Sequence, residues 1–284
     1  MENNSLLNKL NDLEARFQEV STLITDPAVV ADRERNEILV MSVCGNRVCW
    51  HGNYGAGTAE NPENPNRMAR LRIKYNEETG EWEASQPKEV TYEIYPLFKD
   101  KNGKAHVGSM FIGAGRMAQS SMIKVGDYYR IYCAVLVKNV NGTHVNFVLY
   151  SDDFGQKWTV LGGGEVSPIP GGGDEPKADE LPDGSVIISS RTTGGRYFNI
   201  FTYTDSKKAD GSWGTSQFSG NNNNGTTAVS NSTNGEILFV PARRKADDKK
   251  VYLALQSVPL GSGRANVGIY YKELETKEGI LNDE

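Results

Sequence analysis

The pattern of apolar and polar residues changes once along the chain, near Thr25. Before that point, apolar residues recur every three or four positions between polar and charged ones: Leu6, Leu10, Leu13, Phe17 and Val20. This spacing places the apolar side chains on one face of a helix. The sequence therefore predicts an amphipathic helix over residues 3–21.

Beyond Ala28 the chain consists of short apolar runs separated by turn residues, which is the pattern of β-strands. The predicted strands are 37–43, 69–75, 128–137, 145–150, 185–189, 197–202, 236–240, 251–256 and 266–271. Many short strands at this spacing are typical of a sandwich, a barrel or a propeller. Stretches rich in Gly, Pro and Asn at 53–66, 162–173 and 220–225 predict surface loops.

One hairpin signal is specific. Residues 150–158 contain Ser-x-Asp-x-Gly-x-x-Trp in Ser151, Asp153, Gly155 and Trp158, a pattern called an Asp box. We expect Ser151 and Asp153 to hydrogen-bond neighbouring backbone, Gly155 to adopt a positive φ, and Trp158 to pack on the core. The pattern predicts a structural β-hairpin and not a catalytic site.

Weaker copies of this signature occur at 75–82 and 203–213, where acidic residues, a Gly and a Trp follow a strand. A hairpin signature that returns every 60 to 75 residues, roughly, favours four-stranded blades with inserted loops. The predicted fold class is therefore all-β, with a propeller as the leading architecture.

Composition excludes several classes of partner and cofactor. A net charge of −5 over 284 residues, with both signs mixed and no basic stripe, argues against nucleic acid as a partner. Cys44, Cys49 and Cys133 are odd in number and lack nearby His, so they predict buried free thiols and neither a disulfide framework nor a metal site. No cofactor is predicted. No segment resembles a membrane span or a signal peptide, so the sequence as given predicts a cytoplasmic location.

The candidate chemistry lies in residues 174–191. Glu175 precedes one strand, a Leu-Pro-Asp-Gly turn follows at 181–184, and Arg191 ends the next strand. A hairpin of this form brings together a carboxylate that can act on a neighbour's proton and a guanidinium that can hold an anion. On spacing alone, a surface salt bridge is the alternative.

Other ionisable residues receive no functional role. Arg116, Arg196 and the pair Arg243–Arg244 are interpreted as exposed charges. The histidines lack a partner pattern and are interpreted as structural: His51, His106 and His144.

Several motifs resemble the bacterial sialidase (exo-α-sialidase, neuraminidase) family, in the family's order. These are the Asp box, Gly-Asp-Glu-Pro-Lys at 173–177, Leu-Pro-Asp-Gly-Ser at 181–185, Ser-Arg at 190–191 and Pro-Leu-Gly-Ser-Gly-Arg-Ala-Asn-Val-Gly-Ile-Tyr at 259–270. Asp-Pro-Ala-Val at 26–29 and Phe-Ile-Gly-Ala-Gly at 111–115 are similar to further family segments. The resemblance runs from about Ile24 to the C-terminus and implies a six-bladed β-propeller.

The resemblance also implies a reaction. Sialidases cleave terminal sialic acid with retention of configuration, using three arginines, a Tyr nucleophile paired with a Glu, and an Asp acid/base. Glu175 matches the glutamate, Arg191 the second arginine, Arg264 the third, and Asp26 the aspartate at the sugar's hydroxyl edge. The alternatives are an ion-paired Glu, two solvated arginines and an Asp that caps a turn before Pro27. The implied partner is a sialylated glycan or free sialic acid.

The chain also departs from the family pattern. It has no Arg-Ile-Pro motif, so the first arginine and the acid/base Asp have no match, and the expected Tyr would fall beyond Glu284. Tyr270 and Tyr271 lie on the strand after Arg264 and are not assigned. We therefore expect a sialidase-type hydrolase with weak or no activity, or alternatively a non-catalytic sialic-acid-binding propeller. The family is usually secreted or periplasmic.

Residues 4–32 resemble the N-terminal helix of bacterial peptide chain release factors, and this resemblance overlaps the other at 24–32. The release factors' Gly-Gly-Gln tripeptide is absent from the sequence, which argues against termination activity. The predicted organisation is a foreign amphipathic helix at 1–23 and a partial propeller at 24–284. An incomplete ring exposes strand edges, so we expect self-association unless the helix covers the gap.

Overall fold

The computed structural model describes residues 24–44, 66–98, 102, 107–139, 142–193, 195–219, 234–259 and 267–274. The predicted helix at 3–21, Cys49, His51, His106, Arg264 and most of the predicted loops at 53–66 and 220–225 lie outside these residues. Every structural statement below concerns the described ranges.

The described chain forms four sheets, which follow one another in sequence except that β7 returns to pair with β1 of sheet 1. Sheet 1 contains β1 (Ile24–Ala31), β2 (Glu37–Cys44), β3 (Arg67–Asn76), β4 (Glu81–Ala84), β5 (Lys88–Glu89) and β7 (Gly115–Arg116). Sheet 2 contains β6 (Val107–Ile112), β8 (Ala118–Val125), β9 (Tyr128–Asn139), β10 (His144–Ser151) and β11 (Thr159–Val160). Sheet 3 contains β12 (Asp174–Glu180), β13 (Val186–Thr192), β14 (Gly195–Asp205), β15 (Asp210–Trp213) and β16 (Gln217–Ser219). Sheet 4 contains β17 (Ile237–Arg243), β18 (Lys250–Pro259) and β19 (Val267–Leu274).

The strand predictions are confirmed to within a few residues at each end. The nine predicted strands correspond to β2, β3, β9, β10, β13, β14, β17, β18 and β19. The short helix α1 (Thr91–Ile94) and the 3-10 turn after it (Tyr95–Leu97) were not predicted. They form because Ile94, Tyr95 and Phe98 are buried in the core between sheets 1 and 2, so tertiary packing decides the local structure. In the described chain, neither helical segment has the length and apolarity needed to cross a membrane.

The packing of each sheet on its neighbours can be traced from which side chains of its central strand are buried in which core. Strand β9 is apolar along most of its length because both of its faces are covered. Its odd-numbered residues from Ile131 to Val137 join the core shared with sheet 1, and Tyr132 and Ala134 join the core shared with sheet 3. In β13, Ile188 likewise faces sheet 2, whereas Ile187 packs with Ile237 of sheet 4. The four sheets therefore pack face to face in series.

The turn that follows β10 has the predicted hydrogen bonds. The Ser151 hydroxyl oxygen accepts from the Gly155 amide at 2.8 Å, and Asp153 Oδ1 accepts from the Lys157 amide at 2.8 Å. Gly155 has φ of 77°, and Trp158 is buried in the core between sheets 1 and 2. The turn therefore depends on a backbone conformation that glycine adopts easily and on one buried aromatic ring.

The weaker copies of this turn occupy equivalent places in two other sheets. Residues 75–82 form the β3–β4 hairpin, in which Tyr75 pairs with Trp82. Residues 203–213 form the β14–β15 hairpin, in which Tyr203 pairs with Gly211. All three signatures thus connect the third and fourth strands of a four-strand run, which explains their recurrence along the sequence.

A buried arginine ties the turn after β10 to the next sheet. Arg130 is fully buried, and its guanidinium donates to both carboxylate oxygens of Asp152, at 2.7 and 2.8 Å. It also donates to the Ser206 carbonyl at 2.6 Å, in the β14–β15 turn. This bidentate pair fixes sheet 2 against sheet 3 at the end of the molecule that carries the turns.

Cys44 and Cys133 are buried free thiols, as predicted. Burial raises the pKa of both thiols to about 12. Because the folded chain keeps each thiol protonated while the unfolded chain loses the proton near pH 8.5, each thiol stabilises the fold fully only below that pH. Their contribution is then lost as the pH rises towards about 12.

We expect Cys133→Ala to flatten the decline in unfolding free energy between pH 9 and 11 by about 1.4 kcal/mol per pH unit. The measurement is urea unfolding at several pH values. Val135→Ala is the matched control, because Val135 lies on the same strand and faces the same core. It should lower stability without changing the slope, and an unchanged slope in Cys133→Ala would contradict the burial argument.

Candidate functional site

The β12–β13 hairpin brings Glu175 and Arg191 together. The Leu181–Gly184 turn closes it, with a 2.8 Å hydrogen bond from the Gly184 amide to the Leu181 carbonyl. Arg191 Nη1 lies 2.7 Å from Glu175 Oε2 and 3.7 Å from Asp174 Oδ2. The Arg191 side chain is 22% exposed and the Glu175 side chain 37%, so both remain accessible to a ligand while paired.

A β-bulge aims the Glu175 side chain. The register of β12 against β13 shifts between Asp174 and Lys177, and Glu175 itself has φ of 31°. A positive φ is costly for a residue with a side chain and persists only where the surroundings impose it. One such surrounding is Gly113, directly after β6 of sheet 2, where any Cβ would overlap the carbonyl oxygen of Pro176. Close approach of this segment to β12 therefore helps to hold the bulge.

Asp26 stands in a similar place in sheet 1. It lies at a register shift near the start of β1, with φ of 51°. The structure therefore brings Glu175 and Arg191 together and gives Asp26 the same kind of strained backbone position in another sheet. Arg264 lies outside the described residues, and the grouping of Asp26 with the pair stays a prediction.

Further along β12 from Glu175, a cluster of charged side chains joins sheets 1, 3 and 4. Arg116 of β7 lies 3.2 Å from Asp179 and 3.4 Å from Glu236, and it donates to the Ile237 carbonyl at 3.0 Å. Lys177 Nζ lies 3.7 Å from the other carboxylate oxygen of Glu236. Glu236, directly before β17, therefore bridges cations of β7 and of β12.

Burial perturbs the titration of this cluster. It lowers the pKa of Lys177, against the opposing effect of Glu236. It also raises the pKa of Asp179, while Arg116 acts in the opposite direction. These shifts mark a partly desolvated centre, in which charges act on one another more strongly than on the surface.

The interpretation as exposed charges is wrong for Arg196, Arg116 and Arg244. Arg196 was expected to be an exposed charge, but it is only 1% exposed, because it lies beneath the edge of sheet 4. Arg243 is exposed, as expected, whereas Arg116 and Arg244 are each about two-thirds buried in ion pairs.

Sequence reasoning also missed the roles of Lys177, Asp179 and Glu236. A usable signal exists, since Lys177 and Asp179 are two apart on β12 and so share one side of that strand. Within the described residues, no group of three or more His, Cys, Asp or Glu side chains is arranged to hold a metal ion.

Comparison with solved structures identifies sialidases as structural neighbours. The Hadza microbial sialidase Hz136 superposes with a TM-score of 0.60 over 90% of this chain and 45% of that chain, at 18% identity. A Trypanosoma rangeli sialidase in complex with sialic acid has a TM-score of 0.57 over 88% of this chain and 36% of that chain, at 17% identity. NanB, solved with Optactamide, has a TM-score of 0.57 over 92% and 47%, at 15% identity. The chain thus has a sialidase-like fold and spans less than half the length of these sialidases.

Sequence comparisons give a separate, short match. Peptide chain release factor 1 of Bacteroides fragilis is 71% identical over 34 residues, which is 12% of this chain and 9% of that protein. The Bacteroides thetaiotaomicron protein is 62% identical over 34 residues, with the same coverage. No protein-family model matches the chain. The match is consistent with the predicted resemblance to release factors and covers too little of them to carry a function.

We expect Glu236→Gln to lower the free energy of unfolding by about 1–3 kcal/mol, because Lys177 would be left buried without its carboxylate. The measurement is urea unfolding at pH 7. Adding Lys177→Met should recover part of the loss, since the double variant no longer buries the cation. A single variant as stable as the original would show that the Lys177–Glu236 contact contributes nothing.

Proposed function

We propose that this chain carries part of a sialidase-type site and binds terminal sialic acid through the Glu175–Arg191 pair. The observation that carries the proposal is the 2.7 Å contact between these side chains, on a strained bulge at one edge of a sialidase-like fold. The matched position of each residue in the family motif supports the same assignment. In this proposal the fold is a six-bladed propeller, of which the four sheets are blades.

The proposed chemistry follows from the charges. Sialic acid has a carboxylate beside its anomeric carbon, and a guanidinium can hold such a carboxylate through two parallel hydrogen bonds. On ligand binding, Arg191 would divide its donors between the sugar and Glu175. In the retaining reaction that the family resemblance implies, the glutamate that Glu175 matches accepts the proton of a Tyr nucleophile, a group to which this chain has no assigned match.

Within these 284 residues, no acid/base Asp, first arginine or nucleophile is assigned. Tyr271 is 74% exposed on the last strand of sheet 4, which does not favour it as the nucleophile. Acid/base and nucleophilic groups supply a large part of an enzyme's rate enhancement. We therefore propose that this chain binds sialic acid and hydrolyses sialosides slowly or not at all.

We expect N-acetylneuraminic acid to bind in a calorimetric titration, and Arg191→Ala to weaken that binding about 10-fold or more by removing a charge-assisted hydrogen bond. Arg243→Ala is the matched control, since it removes an equal charge from an exposed arginine at the far end of β17. Binding that survives Arg191→Ala unchanged would refute the assignment. Robust turnover of a fluorogenic sialoside would refute the prediction of low activity.

We also propose that the chain self-associates through sheet 4. Leu238, Ile269 and Tyr271 are 38%, 69% and 74% exposed, and Leu238 and Tyr271 lie on one face because both pair across Leu255. Within the described residues, no strand pairs with the far side of β19. An apolar face beside an open strand edge favours association.

Size-exclusion chromatography with light scattering should show a mass that rises with concentration. The double variant Ile269→Lys/Tyr271→Lys should shift the chain towards monomer, because charges oppose edge pairing. Val166→Lys is the control, since Val166 is 77% exposed in a loop outside sheet 4. A stable monomer at all concentrations would contradict the proposal.

A further inference from the structure

Arg196 is buried next to the proposed anion site, on the strand that neighbours Arg191. It is the second residue of β14, and the β13–β14 register places it directly opposite Arg191. Like charges opposite each other on neighbouring strands repel. Arg191 is 22% exposed at the site, whereas Arg196 is 1% exposed beneath it. The fold therefore places the buried cation Arg196 on the strand next to Arg191, the partly exposed cation that would contact the ligand.

The contacts of Arg196 hold sheet 3 to sheet 4. Its Nε donates to the Ser189 hydroxyl at 2.8 Å, and its Nη2 lies 3.4 Å from the Gly235 carbonyl. Ser189 donates in turn to Gln256 Oε1 at 3.0 Å, and Gln256 Nε2 donates to the Glu236 carbonyl at 2.9 Å. The fork of one guanidinium thus reaches the strand that carries Arg191 and the residue that precedes Glu236.

Electrostatics keep Arg196 charged in this position. Burial lowers its pKa to about 10, Glu175 and Glu236 raise it, and Arg191 lowers it further. The side chain is therefore a cation at neutral pH, in a place where water cannot screen it. Its field reaches both members of the Glu175–Arg191 pair.

We propose that Arg196 is a positioning residue, whose repulsion of the Arg191 guanidinium keeps that side chain against Glu175. Its fixed positive charge would also favour binding of a ligand that carries a carboxylate. This proposal rests on the proposed function and deepens it, since it assigns the preference for an anionic sugar to a residue that the sugar does not touch. Repulsion from Arg196 and attraction to Glu175 together favour one orientation of the Arg191 side chain.

The test compares two ligands, N-acetylneuraminic acid and its methyl ester, which lacks the negative charge. Arg196→Gln should weaken binding of the acid about 10-fold and leave binding of the ester within about 2-fold, because only the acid feels the lost potential. Arg196→Lys should keep the ratio of acid to ester affinity, since it keeps the charge. Equal losses for both ligands, or a lost preference in Arg196→Lys, would overturn the proposal.

Arg130→Gln is the matched control for general damage, because Arg130 is also a fully buried arginine but ties sheet 2 to the β14–β15 turn. It should lower thermal stability and leave the ratio of acid to ester affinity unchanged. A ratio that changes equally in Arg130→Gln and Arg196→Gln would show only that the site is sensitive to stability, and would overturn the assignment.

A second measurement needs no ligand. Arg191→Gln should lower the urea midpoint less in the original chain than in Arg196→Gln, because in the original chain it also relieves the repulsion between the two arginines. If the two substitutions change the urea midpoint additively, the positioning role is overturned. If the original chain binds neither ligand, the proposed function fails, and this comparison of single and double variants alone decides whether Arg196 positions Arg191. Where Arg196→Gln does not fold, Arg196→Met takes its place.

Discussion

The fold depends on the burial of sheets 2 and 3 on both faces. Strands β9 and β13 alternate side chains between two cores, so each shares one hydrophobic layer with the preceding sheet and another with the following sheet. The candidate chemistry is concentrated on β12, the first strand of sheet 3, and at the adjoining ends of its neighbours.

β12 packs closely enough against its neighbours to hold charges in fixed relation. β12 supplies Glu175, Lys177 and Asp179, which contact arginines from β13 and β7 and a glutamate before β17. Each of these pairs crosses from one strand to another, and most cross from one sheet to another. The geometry of the candidate site is thus a property of how the sheets meet, since its parts come from separate segments of the chain.

The sequence predicts local elements well and contacts between sheets poorly. Alternation and turn residues locate the strands, and the Leu-Pro-Asp-Gly turn is enough to predict that Glu175 meets Arg191. Arg196 is only five residues from Arg191, yet nothing in the local pattern shows that sheet 4 covers it. The same holds for Glu236, whose partners lie more than fifty residues away along the chain. Burial of a charge is decided by distant strands, which a pattern of nearby residues does not contain.

Among the residues that the structure describes, sheet 4 shares a core only with sheet 3, and this packing has a consequence for motion. Sheets 2 and 3 must lose two cores to open, whereas sheet 4 loses one, so its amides should exchange with solvent at a lower opening free energy. The Gly235 and Glu236 carbonyls, which accept from Arg196 and Gln256, lie directly before the first strand of sheet 4 and would open with it. Occupation of the Arg191 site and ordering of sheet 4 are then linked equilibria, and an anion that binds at Arg191 would slow hydrogen exchange in strands that it does not touch.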